Sequence, residues 1–161
     1  KKNIVEDMKT SDITKLLVKT CIDLVSVENT LWEKVAWRLA LFDLYKKAAK
    51  NRNLKQDDIY SGKAYRDFFQ AYIAEGLYYK DFMKYYSEED ILKAGEILAK
   101  KGRETDMTYG YTTVLSLSKR YLLNPNKVVR ELPQELYMSV ALFYAIPEKP
   151  ETRFEFAMKV Y

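Results

Sequence analysis

The sequence contains no histidine and a single cysteine, Cys21. Without imidazole the chain lacks the commonest general base at neutral pH and the commonest metal ligand. One thiol excludes a disulfide within the chain and a thiolate metal cluster. Glycine (5) and proline (4) are scarce among 161 residues, so long irregular loops should be few. No glycine-rich phosphate loop or dinucleotide fingerprint occurs. No apolar run approaches the ~20 residues that a bilayer span needs. The first ten residues, KKNIVEDMKT, lack the apolar core of a secretory signal. The expectation is a cytoplasmic chain with no membrane segment, no metal site and no complete set of catalytic residues of its own.

What remains is ordinary for a single globular unit. Hydrophobic residues make up 48% and charged residues 31%, enough to build a core and a solvated surface. The net charge of +4 is spread out: residues 1–50 carry 10 Lys/Arg against 7 Asp/Glu, and residues 51–110 carry 10 against 11. A nucleic-acid groove needs a basic stripe, and the alternation of signs here reads as helix faces in water. A basic, tyrosine-rich nucleic-acid binder is therefore the weakest of the functional readings.

The apolar residues recur at helical spacing, so the chain reads as mainly α. Thr10-Ser11-Asp12 suits a helix start, and Ile13, Leu16, Leu17, Cys21 and Leu24 form one stripe over 11–27. Thr30 and Glu33 have capping-box spacing, and Leu31, Val35, Leu39 and Phe42 carry a second helix to about Lys50. NRNLKQDD (51–58) is a polar linker. A third helix is expected from Ser61 to Glu75, stopped by Gly76, and a fourth from the acidic start Ser87-Glu88-Glu89-Asp90 to Gly102. Further helical segments are expected over 108–120, from Pro133 to 145, and from Pro150 with no stop signal before Tyr161. Asn124-Pro125-Asn126 between two short apolar runs allows one small β-hairpin around 121–131.

Few residues present chemistry. Glu88, Glu89 and Asp90 are consecutive, so they fan around a helix start instead of converging. Cys21 lies on an apolar stripe with no cation to lower its pKa and reads as a small buried hydrophobe. Tyr78-Tyr79 and Tyr85-Tyr86 read as core and half-buried rings. One constellation is of interest. Two helices joined by a short connection lie antiparallel, and at ~1.5 Å per residue the start of the first should meet Lys46-Lys47 of the second. Unpaired N–H groups, a hydroxyl and a lysine then make a phosphate-binding corner at Thr10 and Lys46.

Four strings occur in order: KTSDI (9–13), RLALFDLYKKA (38–48), DMTYGY (106–111) and PETRFEFAMKVY (150–161). Together they resemble the N-terminal region of the large, catalytic subunit of ribonucleotide reductase, over about residues 4–161. The resemblance implies that residues 1–50 are the C-terminal half of an ATP-cone, the element that binds ATP or dATP as an allosteric effector. It implies that 51–161 begin the helical domain that precedes the catalytic barrel. Thr10 and Lys46 match the family's contacts to the effector phosphates, and the catalytic cysteines would belong to later parts of the subunit. No cofactor is expected on this chain alone. The implied partners are the remainder of the large subunit, the radical-generating small subunit and a further copy of the large subunit. The chain departs from the pattern at Thr14 and Asp43, where some members carry histidine, and Asp43 is expected to repel a nearby phosphate. The cone's first half, with its basic strand, is not among these residues. The alternative is a standalone helical interaction module, or half of a split reductase subunit.

Overall fold

A computed structural model describes residues 7–161; the opening of the 1–50 segment, residues 1–6, lies outside the described residues. Those described form eight α-helices and no strand: α1 (Thr10–Asp23), α2 (Leu31–Asn51), α3 (Gly62–Ala74), α4 (Phe82–Tyr85), α5 (Glu88–Asp106), α6 (Tyr111–Ser116), α7 (Pro133–Tyr144) and α8 (Pro150–Val160). Short 3-10 turns occupy Gln56–Asp58 and Pro125–Lys127. The mainly α reading holds.

The best-capped helices are those whose starts the sequence marks clearly. Ser61 accepts from the Ala64 amide at the start of α3, and Gly76 follows its end at φ +71°, a conformation only glycine adopts cheaply. Ser87 and Asp90 exchange hydrogen bonds with each other's backbone at the start of α5. Such caps contribute about 1 kcal/mol each.

Five expectations need correction. Helix α1 ends at Asp23, and residues 24–30 form a loop turned by Ser26 and Asn29, whose amide donates to Ser26 Oγ at 3.1 Å. Thr30 sits in helical conformation and caps nothing with its side chain. Gly102 does not end α5: it lies buried in mid-helix against the Tyr60 ring, where an added Cβ would come within 3.2 Å of two ring carbons. The 121–131 stretch forms no hairpin. Its backbone groups are claimed by side chains instead: Leu123 N–H donates to Glu131 at 2.5 Å, and Arg130 N–H to Asn124 Oδ1 at 3.2 Å. The turn itself passes through left-handed Asn126 and Lys127. The expected 108–120 helix is six residues of α6 running into one π-turn, closed by Leu122 N–H on Leu117 C=O at 3.0 Å.

Two features hold the helices together. Helices α3 and α5 cross at Gly62 and Gly95, and a Cβ at Gly95 would stand 2.8 Å from Gly62 Cα. Around that crossing Tyr65, Phe68, Phe69, Tyr72, Tyr78 and Phe82 pack in tilted and edge-on pairs 4.2–6.5 Å apart. Cys21 is buried as expected, but Leu17 and Leu24 of its stripe are exposed, and so are Leu31, Val35 and Phe42 of the stripe expected on α2, which buries Ala36, Trp37, Leu41, Leu44, Tyr45 and Ala48 instead. The tyrosine pairs divide: Tyr78 and Tyr86 are buried, while Tyr79 is exposed.

Candidate functional site

Helices α1 and α2 pack antiparallel, which brings the start of one beside the end of the other. A cleft of about 560 Å³ opens there, lined by Lys9, Thr10, Ser11, Thr14, Asp43, Lys46, Lys47, Lys50 and Asn51. Thr10 and Lys46, chosen from the sequence, thus share one wall-to-wall space. The first hydrogen bond of α1 runs from Asp12 N–H to Lys9 C=O at 2.8 Å, so the amides of Thr10 and Ser11 precede the helical ladder. Those N–H groups, the positive end of the helix dipole and the ammonium groups of Lys9, Lys46, Lys47 and Lys50 all favour an anion.

The acid in the cleft is already partnered. Asp43 accepts a hydrogen bond and ion pair from Lys47, one turn further along α2. Its charge is therefore compensated locally, and the repulsion expected from it is reduced to that of a neutral pair. Asp12 is held below the ordinary carboxylate range by Lys15, 2.9 Å away, on the solvent side of the same turn. Thr14 Oγ1 donates back to Thr10 C=O at 3.1 Å, so its hydroxyl oxygen keeps acceptor capacity only. A second cavity of about 380 Å³ shares Thr14, Asp43 and Lys47 and continues between α1, α2 and α6 along Val18, Ile22, Leu44 and Val114. The pair of spaces sets an apolar compartment beside a cationic one.

A different set of charged groups escaped the sequence reading. Asp106, Glu131 and Glu135 are fully buried. Asp106 accepts from Tyr45 Oη, from Tyr60 Oη at 2.8 Å and from Gln134 Nε2 at 2.9 Å. Gln134 also donates to Tyr109 Oη and accepts from Tyr161 Oη at 2.8 Å. Glu135 pairs with Arg52 at 2.6 Å and takes the Leu132 N–H at 2.9 Å. Glu131 takes Tyr78 Oη and Leu123 N–H, both at 2.5 Å. Burial raises all three carboxyl groups, Glu131 to about 7. The three carboxyl groups and Tyr45, Tyr60 and Tyr78 are buried, Tyr109 and Tyr161 are half-buried at the edge of the core, and none of them lines the α1–α2 cleft, so the networks read as structural. One signal was available: Glu135 stands three residues after Leu132 and just inside the proline start of α7, the position from which a carboxylate caps backwards. Lys50 and Asn51 in the cleft follow from the same register that placed Lys46.

Among the described residues no cluster of three or more His, Cys, Asp or Glu could hold a metal, and no helix is long and apolar enough to cross a membrane. No family model matches the chain. Curated relatives do. The chain is 30% identical over 97% of its length to ribonucleoside-diphosphate reductase 1 subunit alpha of Escherichia coli, of which it covers 19%. It is 30% identical over 97% of its length to the subunit alpha of the same enzyme from Synechocystis, covering 18% of that protein. For the Helicobacter pylori subunit alpha the values are 28%, 89% and 17%. The chain thus spans about a fifth of the length of the curated relatives it matches.

Proposed function

The chain matches an N-terminal fragment of a ribonucleoside-diphosphate reductase large subunit, and on that premise we propose that it works as part of an oxidoreductase that converts ribonucleotides to deoxyribonucleotides. In this reading it supplies regulation and structure, while the reacting cysteines and substrate contacts come from other parts of the subunit. Residues 1–50 form the second half of an ATP-cone, and Thr10 and Lys46 hold the phosphates of ATP or dATP. Residues 51–161 cover the catalytic barrel. The radical-generating small subunit and a second large subunit are its partners in the assembled enzyme.

The observation that carries the reading is the cleft itself. The unladdered amides of Thr10 and Ser11 and the lysines Lys9, Lys46 and Lys50 line one space, and its lone acid, Asp43, is paired with Lys47. Phosphate oxygens are the acceptors that such a set of donors fits. ATP and dATP can set activity only through different affinities for different states of the enzyme. Lys46→Ala in the native polypeptide that carries this chain should therefore weaken dATP inhibition by about tenfold in concentration, roughly one charge-assisted contact. Its rate without effector should stay at the wild-type value. Steady-state assays across a dATP titration give both numbers, and an unmoved inhibition curve removes Lys46 from the effector site.

A further inference from the structure

The two walls of the α1–α2 cleft are held in different ways. Among the described residues, no side-chain hydrogen bond or ion pair joins α1 to another element; those of Thr14, Lys15 and Thr20 all stay within the helix. Helix α1 rides on α2. Helix α2 is anchored at its cleft end. Tyr45, 3% exposed, donates to Asp106 at the end of α5, which also accepts from Tyr60 and Gln134. Seven residues on, the Arg52 side chain is 7% exposed and lies over the Phe68 ring of α3, 4.5 Å from its centroid. Its guanidinium donates to Glu135 of α7 at 2.6 Å and to the Ala64 carbonyl at 2.7 Å. Asn51, beside it, donates to the Val129 carbonyl at 2.8 Å. The first half of α2 carries no such tie among the described residues, and its Leu31 and Val35 are exposed. Lys46, Lys47 and Lys50 of the cleft stand between the two anchors. Successive residues of a helix point about 100° apart, so Tyr45 faces the core while Lys46 faces the cleft. Lys46 and Lys50 lie one turn apart on the same side.

We infer that Tyr45 and Arg52 are positioning residues of this cleft: they hold the last two turns of α2 in register and so set where Lys46 and Lys50 meet a phosphate chain. The inference rests on the reading of the cleft as an ATP or dATP site. Neither side chain lines the cleft, so neither touches the ligand. Tyr45 acts through its neighbour Lys46, and Arg52 through Lys50, two residues before it. A charge-assisted contact gives its full strength only when donor and acceptor keep their geometry, and that geometry comes from the groups behind the donor. A lysine has a long flexible stem, so the backbone that carries it must be fixed if two ammonium groups are to stay in step.

A double-mutant cycle tests it, with dATP binding to the native polypeptide that carries this chain read by titration calorimetry. Lys46→Ala should weaken binding about tenfold and Tyr45→Phe about fivefold. The double variant should stay within about 1.5-fold of Lys46→Ala alone, because the hydroxyl matters only through the lysine it positions. Tyr60→Phe is the control. It removes the same kind of donor from the same carboxylate, but Tyr60 lies outside α2, so dATP affinity should not change. Arg52→Lys keeps a cation beside Glu135 and gives the same readout from the other anchor, with Lys50→Ala as its cycle partner. Wild-type affinity in both Tyr45→Phe and Arg52→Lys overturns the inference. So does an equal loss in Tyr60→Phe, which marks general loosening of the core, or a product of about 50-fold in the Tyr45→Phe, Lys46→Ala double variant. No dATP binding by the wild-type polypeptide removes the effector reading and the positioning role with it. Weakened binding in Lys46→Ala beside unchanged binding in both anchor variants removes the positioning role alone.

Discussion

Three tyrosine hydroxyls in the core have different fates, and substitution should separate them. Tyr45 and Tyr60 both donate to Asp106, a carboxylate with no cation among its hydrogen-bond partners. Asp106→Ala leaves two hydroxyls and the Gln134 amide without their acceptor, and should cost about 3 kcal/mol or more. Tyr45→Phe removes one donor and should cost about 1–2 kcal/mol. Tyr65 is the opposite case: its ring is fully buried, and its hydroxyl meets no hydrogen-bond partner among the described residues. Tyr65→Phe discards an unpaired polar group and should be neutral or stabilising by about 1 kcal/mol. Urea midpoints at unchanged slope read all three. None of this was legible in the sequence. Fourteen tyrosines announce a large aromatic core, but which hydroxyl finds a carboxylate depends on residues 46 and 61 positions away. Thr10 and Lys46 were legible because their meeting needs only the rise of a helix and a short return.

At the level of elements, legibility followed the strength of local signals. The Ser61 and Ser87 starts, the Gly76 stop and the proline starts of α7 and α8 lie where the sequence puts them. The failures came where tertiary packing overrode a local preference. Gly102 reads as a stop, yet it is glycine because the Tyr60 ring occupies the place of a side chain. Asn124-Pro125-Asn126 reads as a hairpin turn, yet Glu131 and Asn124 take the amides that a strand ladder would have used. The α3–α5 crossing allows a direct test. Gly95→Ala gains about 1 kcal/mol of helix propensity. It also sets a methyl carbon 2.8 Å from Gly62 Cα and Tyr65 Cβ, with a carbonyl at 2.9 Å. The neighbours are backbone and the stem of a buried ring, so the helices must separate. A net loss of about 1–3 kcal/mol is expected, measured by thermal unfolding. Gly76→Ala meets open space and should cost only about 1 kcal/mol for its positive φ.

For the molecule as a whole, the buried carboxyl groups set the pH dependence. Burial raises Asp106, Glu131 and Glu135, so the folded state keeps protons that the unfolded chain has released. Stability should therefore be highest near pH 5 and fall as pH rises through about 7, where Glu131 must ionise in place. The Glu131 share is on the order of 3 kcal/mol, and Glu131→Gln should flatten the profile between pH 5 and 8. Exposed acids held low by a neighbouring cation, such as Asp12, Asp81 and Glu155, act only on the acid side, below about pH 4. Urea unfolding across pH 4–8 separates the two limbs. The Asp106 network also orders events in time. The ribosome releases Tyr45 long before it releases Asp106, Gln134 and Tyr161, which complete the hydrogen-bonded set. At about 10 residues per second, some ten seconds pass between the first member and the last. Helices α1 and α2 can pair early, but the far side of α2 stays without its polar partners throughout that interval. A nascent chain stalled before α7 should thus hold the α1–α2 cleft on a half-finished support, open to proteases and chaperones, until Tyr161 clears the exit tunnel.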